Sequence, residues 1–174
     1  QVLIAIDHCL LASEQVEAIQ HRAGELASID PSAIVLTFSH THAAGLLNLD
    51  REHLPGGELL ADYFESLTAT VAKTVAQAAS NLVQANITYA TGHCALAAFR
   101  DLYDEQSAQW VCGFNPDSNV DDSVLVARIT NSAGELIASC VHYACHPTTL
   151  AWENRLISPD FPGAMRETVE THTG

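Results

Sequence analysis

The sequence predicts an α/β fold, in which mixed β-sheets are covered by helices in a layered sandwich. In the first half of the chain, short apolar runs rich in β-branched residues alternate with stretches of helical periodicity. Near the end, two apolar runs are separated by an Asn-Ser-Ala-Gly segment at residues 131–134, which is typical of a β-hairpin. Alternating strands and helices followed by a hairpin favour a mixed sheet between layers of helices.

The first predicted elements are two buried strands with a helix between them. Residues 2–7 and 33–38 are short apolar runs of the length expected for a buried strand. Between them, apolar residues recur at helical spacing, and Ser13 is expected to cap that helix. The apolar positions of this helix are Val16, Ile19, Ala23 and Leu26.

The longest helix is predicted next. Residues 58–85 contain neither Gly nor Pro, and apolar residues line one face of the helix that they would form. Beyond this helix, strands are predicted at residues 86–92, 124–130 and 135–145, residues 94–122 are predicted to be irregular, and a short helix is predicted to end near Glu170.

Length and charge exclude several classes of function. A chain of 174 residues that is 48% hydrophobic has room for one domain with a core, so a single domain over residues 1–174 without an internal linker is expected. Lys and Arg together number 7 against 21 Asp and Glu, and the net charge is −14. This balance argues against binding to nucleic acid or to an anionic membrane surface. No apolar stretch reaches the roughly 18 to 20 residues of a transmembrane helix, so a soluble protein is expected.

The sequence is expected to be a piece of a longer protein, because it has neither an initiator Met nor the basic start of a signal peptide. The compartment and the oligomeric state are therefore left open. Five cysteines are an odd number without a CxxC pair, which argues against a disulfide framework or a zinc finger. Most of these cysteines are expected to be small buried side chains.

Two histidines at the end of the second predicted strand are the sharpest chemical feature. His40 and His42 are separated by one residue, and in an extended backbone such residues point to the same side, about 7 Å apart at Cα. Histidine is the commonest metal ligand, so the two rings could bind one ion, or one ring could bind it while the other meets a substrate. The alternative is that two polar residues simply end a strand.

A third histidine and two acids extend this candidate site. His146 follows the last predicted strand and precedes Pro147, which restricts its backbone. A catalytic zinc site needs about three protein ligands and one open position. Asp7 and Asp160 are the acidic candidates for the third ligand, although Asp160 fits a turn or helix cap better and Asp7 could instead orient a histidine.

Arg100 is the remaining candidate site residue. In a chain with so few cations, it could bind a carboxylate or an oxyanion, or it could form a surface ion pair with Asp101 or Asp104. A thiol nucleophile, Cys94 or Cys145, is the competing hypothesis for catalysis. A binding module with purely structural histidines is a further alternative.

Three segments resemble the neutral/alkaline, non-lysosomal ceramidase family of zinc amidases. Residues 35–45, which contain Ser39-His40-Thr41-His42, are similar to the family's THTHSGPGG, and Arg100 with the three residues before it is similar to its NRR or NRS segment. The third and best is the Tyr-Ala-Cys-His-Pro-Thr-Thr-Leu segment at residues 143–150, continuing through residues 154–163. The resemblance spans nearly the whole chain, which would be the front part of the family's catalytic domain.

The resemblance implies a zinc-dependent hydrolase that cleaves an amide bond by metal-activated water. It implies that His40 and His146 are ligands of Zn²⁺, that His42 faces the reacting carbonyl and that Arg100 binds the substrate or the oxyanion. The substrate would be a ceramide-like N-acyl amide or another lipid-like small molecule of sphingolipid metabolism, and family members are often secreted. The family's Glu and Tyr ligands and its serine have no match in this sequence, so this chain alone is expected to be inactive. Residues 43–45 and Phe99 depart from the family pattern, which weakens the case for ceramide itself as substrate.

Overall fold

The computed structural model describes residues 1–173, which belong to two units. The first unit contains residues 1–82 and 147–172, and the second is formed by residues 83–146. The described elements are mixed α and β, as predicted, with three helices and three separate sheets. Within residues 1–173, no helix combines the length and the apolar character that crossing a bilayer requires.

The first unit is built on two parallel strands, β1 (Val2–Ile6) and β2 (Ile34–Phe38). Val2 lies opposite Ile34 and Ile6 lies opposite Phe38 in the register of this pair. Parallel neighbours need a crossover connection, and helix α1 (Ser13–Ala27) provides it. The two strands and the intervening helix predicted from the sequence are confirmed, but the strands are not fully buried, since Leu3 is 63% and Val35 is 41% exposed.

Helix α1 begins differently from the prediction. Ala12, not Ser13, is the N-cap residue, and the side chain of Gln15 accepts a hydrogen bond from the Ala12 N–H at 3.0 Å. The buried stripe of the helix follows a four-residue spacing through Gln15, Ile19 and Ala23. Leu26, the last of the apolar positions at helical spacing, falls beside this stripe and is 51% exposed.

Helix α2 (Leu60–Ser80) is the longest helix, as predicted, but it is shorter than the predicted range 58–85. A 3₁₀ turn at Gly57–Leu59 precedes it, and the next strand already begins at Ala85. The residues by which the prediction overran the helix, 58–59 at its start and 81–85 at its end, contain neither Gly nor Pro. The absence of Gly and Pro therefore could not place the helix ends. A third helix, α3 (Asp160–Thr173), confirms the short helix predicted near the end of the chain.

One hydrophobic core joins β1, β2, α1 and α2 in the first unit. Ile19 and Ile34 have less than 2% of their surface exposed, which places the centre of this core between α1 and β2. The buried apolar residues of the core are Ile6, Leu11, Ile19, Ala23, Ile34, Leu47, Val71, Ala72 and Val75. This core fixes the ends of β1 and β2, from which the candidate site is built.

The second unit is formed by five antiparallel strands: β3 (Ala85–His93), β4 (Asp101–Asp104), β5 (Gln109–Cys112), β6 (Ser123–Asn131) and β7 (Leu136–Tyr143). Strands β3, β6 and β7 form one sheet in that order. The predicted hairpin is confirmed as β6–β7, and Gly134 in its turn has φ +85°, a conformation that glycine adopts readily.

Residues 94–122 are not entirely irregular, because β4 and β5 form a small hairpin within them. Each of these strands has only four residues, which is too short for a clear alternating pattern. The carboxylate of Asp104 accepts hydrogen bonds from the Ser107 hydroxyl and from the N–H groups of Gln106 and Ser107, and these bonds shape the turn.

All five cysteines are free thiols. Cys9 is buried in the first unit, but Cys112 and Cys140 are exposed on β5 and β7. The expectation that most cysteines are buried is therefore wrong, because all four residues of β5 are exposed and Cys140 lies at an exposed position of β7.

Candidate metal centre

The candidate site lies at the carboxyl ends of β1 and β2. Parallel strands end at the same edge of a sheet, so the residues that follow them become neighbours. The Ser39 N–H donates to the Ile6 carbonyl and the His40 N–H donates to the His8 carbonyl, both at 3.0 Å. These two bonds hold the segment after β2 beside the segment after β1.

His40 and His42 approach each other through a turn. β2 ends at Phe38, and His40 has φ +60°, in the left-handed region that residues with a Cβ rarely adopt. The ring centroids of His40 and His42 lie 5.2 Å apart with their planes at 76°. The two rings are neighbours in the structure, but they approach through a turn, so the extended backbone expected between them is wrong. The roles of the two histidines stay predictions.

Cys9 contacts His40 with both its backbone and its side chain. The Nδ1 atom of His40 lies 2.7 Å from the Cys9 carbonyl oxygen and 3.8 Å from its Sγ atom. A carbonyl oxygen can only accept a hydrogen bond, so Nδ1 is the donor and Nε2 carries the lone pair of the neutral ring. This pattern, one ring nitrogen donating to a carbonyl, is typical of a histidine that binds a metal through its other nitrogen.

Cys9, His40 and His42 together form a group whose ligand atoms all lie within 4.8 Å of one another. A tetrahedral zinc ion with bonds of about 2.0 to 2.3 Å needs its donor atoms roughly 3.3 to 3.7 Å apart. Displacements of about 1 Å would therefore bring these atoms onto one ion. Cys9 is buried, His40 is half-buried and His42 is exposed, so the group is closed on the protein side and open on the other. The residues fit a transition-metal ion.

The loop that contains the two histidines is held by the segment after residue 146. Thr41 is only 1% exposed, and its hydroxyl donates to the Ser158 carbonyl at 2.7 Å and accepts from the Ala43 N–H at 3.1 Å. The Ser158 N–H donates to the Ala43 carbonyl, and the His42 N–H donates to the Pro147 carbonyl at 3.4 Å. The segment at residues 39–45 and the segment at residues 147–158, which both resemble ceramidase motifs in the sequence, are therefore joined by hydrogen bonds.

Asp160 organises the start of α3. Its carboxylate accepts hydrogen bonds from the Thr149 hydroxyl at 2.5 Å, from the Phe161 N–H at 2.7 Å and from the N–H groups of Thr149 and Leu150. Burial acts to raise the pKa of this carboxyl, but the hydrogen bonds from Thr149, Phe161 and Leu150 outweigh burial and lower it. The structure thus shows Asp160 as a residue of the turn at the start of α3. Of the two predicted roles, metal ligand and turn or helix cap, this agrees with the second.

Asp7, the other acidic candidate, forms an ion pair. Its Oδ2 atom lies 2.7 Å from a guanidinium nitrogen of Arg166 on α3, and both side chains are 42% exposed. The pair joins the end of β1 to α3 within the first unit.

His8 is a further buried histidine near the end of β1. It is 7% exposed, and its Nε2 atom lies 2.8 Å from the hydroxyl of Tyr63 on α2. Burial lowers the pKa of His8, although the negative charge of Asp7 acts in the opposite direction. The packing against Tyr63, with ring centroids 5.5 Å apart, fixes the segment that leads into Cys9.

His146 and Arg100 belong to the second unit. β7 ends at Tyr143, so His146 follows the strand by three residues, after a turn in which the Cys145 N–H donates to the Tyr143 carbonyl at 2.9 Å. The Nε atom of the exposed Arg100 donates to the Gly113 carbonyl, and the Gly113 N–H returns a bond to the Arg100 carbonyl. The structure brings His40 and His42 together, whereas the roles of His146 and Arg100 stay predictions.

Sequence reasoning missed Cys9 and Thr41. The signal for Cys9 was present, because two consecutive parallel strands place residues 8–9 beside residues 39–42. Thr41 has no such signal: its burial and its bond to Ser158 depend on contacts between distant parts of the chain.

No protein-family model matches this sequence, and no curated protein matches it either. The structure is similar to the crystal structure of a neutral ceramidase from Pseudomonas aeruginosa, with a TM-score of 0.61 and 19% sequence identity over 91% of this chain and 26% of that one. It is also similar to a ceramidase complexed with C2, with a TM-score of 0.56 and 20% identity over 83% of this chain and 24% of that one. The chain spans about a quarter of the length of these ceramidases. It has the fold of part of a neutral ceramidase.

Proposed function

We propose that this chain is part of a zinc-dependent hydrolase that cleaves an amide bond in a ceramide-like N-acyl substrate. The observation that supports this most is the pair of imidazoles of His40 and His42, 5.2 Å apart at the carboxyl end of a parallel strand pair. The fold shared with ceramidases supports the reaction class, and the paired rings support a metal as the source of catalytic power.

In this proposal His40 and His146 bind the zinc ion. The hydrogen bond from His40 Nδ1 to the Cys9 carbonyl supports the assignment of His40, because it orients the ring and leaves the lone pair on Nε2. Pro147, the residue that follows His146, accepts a hydrogen bond from the His42 N–H, and this contact lies within the first unit. A bound zinc ion would lower the pKa of a water ligand to about 7 and polarise the substrate carbonyl.

His42 and Arg100 are the proposed catalytic residues. The ring of His42 is exposed to solvent. In its neutral form it would accept a hydrogen bond, whereas as imidazolium it would donate a proton to the leaving nitrogen. Arg100 would bind the charge that develops on the carbonyl oxygen. Thr41, which lies between the two histidines in the sequence and is buried, would hold the loop that carries both rings through its hydrogen bond to Ser158.

The test of this proposal is zinc binding by the chain and three variants, measured by calorimetry and by metal analysis after dialysis. His40→Ala and His146→Ala should each weaken binding by at least about tenfold, since even residues that only orient a ligand are worth that much. His21→Ala is the matched control, because His21 is exposed on α1, and it should bind like the parent chain.

Retention of one tightly bound zinc by a variant with both His40→Ala and His146→Ala would refute the proposed ligands. The hydrolase activity is tested on the full-length protein with a fluorogenic N-acyl amide. Loss of activity on chelation, together with insensitivity to a thiol-alkylating reagent, is the expected result. Loss on alkylation with no effect of chelation would instead support Cys94 or Cys145 as nucleophile.

A further inference from the structure

Tyr143 joins two parts of the second unit that are far apart in the sequence. It is the last residue of β7, and His146 follows it three residues later. Strand β6 lies between β7 and β3 in the sheet, yet the Tyr143 side chain reaches the segment that follows β3. Its hydroxyl donates to the Cys94 carbonyl and accepts from the Ala97 N–H, both at 2.8 Å.

The hydroxyl of Tyr143 is used in both directions by this pair of bonds, because a phenol has one proton to donate and lone pairs to accept with. Burial raises the pKa of Tyr143 above its ordinary value, and the bond to Cys94 acts in the same direction. The group therefore keeps its proton at neutral pH. A phenylalanine ring at this position would have the same shape but could form neither bond.

The segment held by Tyr143 leads to Arg100, which lies three residues beyond Ala97. The far end of the segment is held separately. The Gly113 N–H donates to the Arg100 carbonyl at 2.7 Å, the Nε atom of Arg100 donates to the Gly113 carbonyl, and the Asn115 N–H donates to the Phe99 carbonyl at 2.9 Å. A guanidinium has five N–H donors, so the bond through Nε restrains the side chain and still leaves donors for an anion.

We infer that the Tyr143 hydroxyl is a positioning group for Arg100, because it holds the segment of residues 94–100 against the strand that leads to His146. The inference rests on the proposed function, since it assumes that Arg100 binds the substrate or the oxyanion. Tyr143 acts on Arg100 and not on the substrate. Tyr143, Arg100 and His146 all belong to the second unit, within which every contact of this argument lies.

The size of the effect follows from the geometry that an oxyanion donor requires. Such a donor must lie about 2.7 to 3.1 Å from the oxygen that gains charge, and a misplacement of about 1 Å can cost roughly 10²-fold in rate. Removing the Tyr143 hydroxyl releases the start of the segment, whereas Gly113 and Asn115 still hold its end. We therefore expect a loss of about tenfold, the low end for residues that orient a functional group.

A double-mutant cycle on the full-length protein tests the inference, with hydrolysis of a fluorogenic N-acyl amide as the readout. Tyr143→Phe should lower kcat/KM about tenfold and leave the bound zinc, measured by metal analysis, unchanged. In an Arg100→Ala background the same change should have no further effect, because Tyr143 acts through Arg100. Tyr89→Phe removes a hydroxyl from a side chain that is 78% exposed on β3, and this matched control should behave like the parent.

The cycle separates this inference from the proposed function. Full activity of Arg100→Ala would refute the proposed role of Arg100, and the inference would fall with it. If Arg100→Ala is impaired but Tyr143→Phe is fully active, the inference alone is overturned. It is also overturned if the two losses multiply, because a hydroxyl that only stabilises the fold would lower activity whether or not Arg100 is present.

Amide hydrogen exchange gives a readout that needs no turnover. In Tyr143→Phe the Ala97 N–H loses its acceptor and should exchange roughly 3- to 10-fold faster, as expected for one hydrogen bond. The N–H groups of β6, between the two joined segments, should keep the exchange rates of the parent chain. Unchanged exchange at Ala97, or faster exchange throughout the sheet, would contradict a role confined to the segment of residues 94–100.

Discussion

The Nδ1 atom of His40 lies 2.7 Å from the carbonyl oxygen of Cys9, a residue 31 positions earlier in the chain. This contact joins the segment that follows β1 to the segment that follows β2, at the start of the candidate metal centre. Because the carbonyl has no proton to give, the contact assigns the proton of the neutral ring to Nδ1. The tautomer of His40 is therefore a structural consequence of the β1–β2 register.

The first prediction concerns this tautomer. In the metal-free chain at pH 8, the ring of His40 should be protonated at Nδ1 and unprotonated at Nε2. Nitrogen-15 NMR of chain labelled at histidine distinguishes the two nitrogens directly, and His40→Gln identifies the signal. A ring protonated at Nε2 would show that the bond to the Cys9 carbonyl is not formed in solution.

The second prediction concerns Thr41. Thr41→Val keeps the shape of the side chain but removes its bonds to Ser158 and Ala43, which leaves buried polar groups unpaired. The free energy of unfolding should fall by about 1–3 kcal/mol, and zinc affinity should fall by about tenfold as the flanking imidazoles lose their support. Thr41→Ser keeps the hydroxyl and should lose about 1 kcal/mol, for one methyl group, with little change in affinity. Equal behaviour of the two variants in urea denaturation and zinc titration would count against this role.

The third prediction concerns Asp160 and pH. Its pKa is lowered in the folded chain, so its carboxylate stabilises the fold above the unfolded value of about 3.9, and this stabilisation disappears as the pH falls through the lower folded pKa. Asp160→Asn should therefore lower the free energy of unfolding by about 1–3 kcal/mol at pH 7 and by less below about pH 4. Asparagine also tolerates the left-handed backbone at this position, where φ is +56°.

Urea denaturation at several pH values measures this difference. Glu17→Gln, a change at an exposed carboxylate on α1, is the control and should give a small difference at every pH. A constant deficit of Asp160→Asn from pH 7 to pH 3 would contradict the assigned role of the charge.

The fourth prediction concerns the ion pair of Asp7 and Arg166. Both side chains are 42% exposed, so solvent screens the pair and its coupling energy should be only about 0.2–1 kcal/mol. A double-mutant cycle with Asp7→Asn and Arg166→Gln measures it, and the coupling should shrink in 1 M salt. Zinc affinity should not change in Asp7→Asn, because the carboxylate faces Arg166. A clear loss of affinity would place Asp7 among the residues that orient a ligand.

Much of the first unit could be predicted because its strands and helices leave simple traces in the sequence. Residues 2–6 are apolar and residues 34–38 are apolar except for Thr37, which is the pattern of a short parallel strand pair, although Leu3 and Val35 are exposed in the structure. The end of α2 at Ser80 has only one sequence signal, Asn81 at the C-cap, because Leu82 and Gln84 beyond it are good helix formers. The β4–β5 hairpin was missed because strands of four residues show no reliable period.

The candidate site was predictable only in part, for a related reason. The His-Thr-His segment identifies the two imidazoles, but their approach depends on the φ angle of His40, which no hydrophobic pattern encodes. The contact with Cys9 depends on which strands are neighbours and on their register. Thr41 is polar and therefore resembles a surface residue in sequence, although its two hydrogen bonds make burial favourable.

The left-handed backbone of His40 costs stability at a position where the imidazole has a proposed role in metal binding. A residue with a Cβ in the left-handed region is destabilised by roughly 1–2 kcal/mol, and glycine avoids most of that strain. A library of variants selected for heat resistance alone should therefore enrich His40→Gly over His40→Ala and discard the imidazole. Stabilisation of this chain by mutagenesis should therefore target other positions and keep the strained backbone of His40.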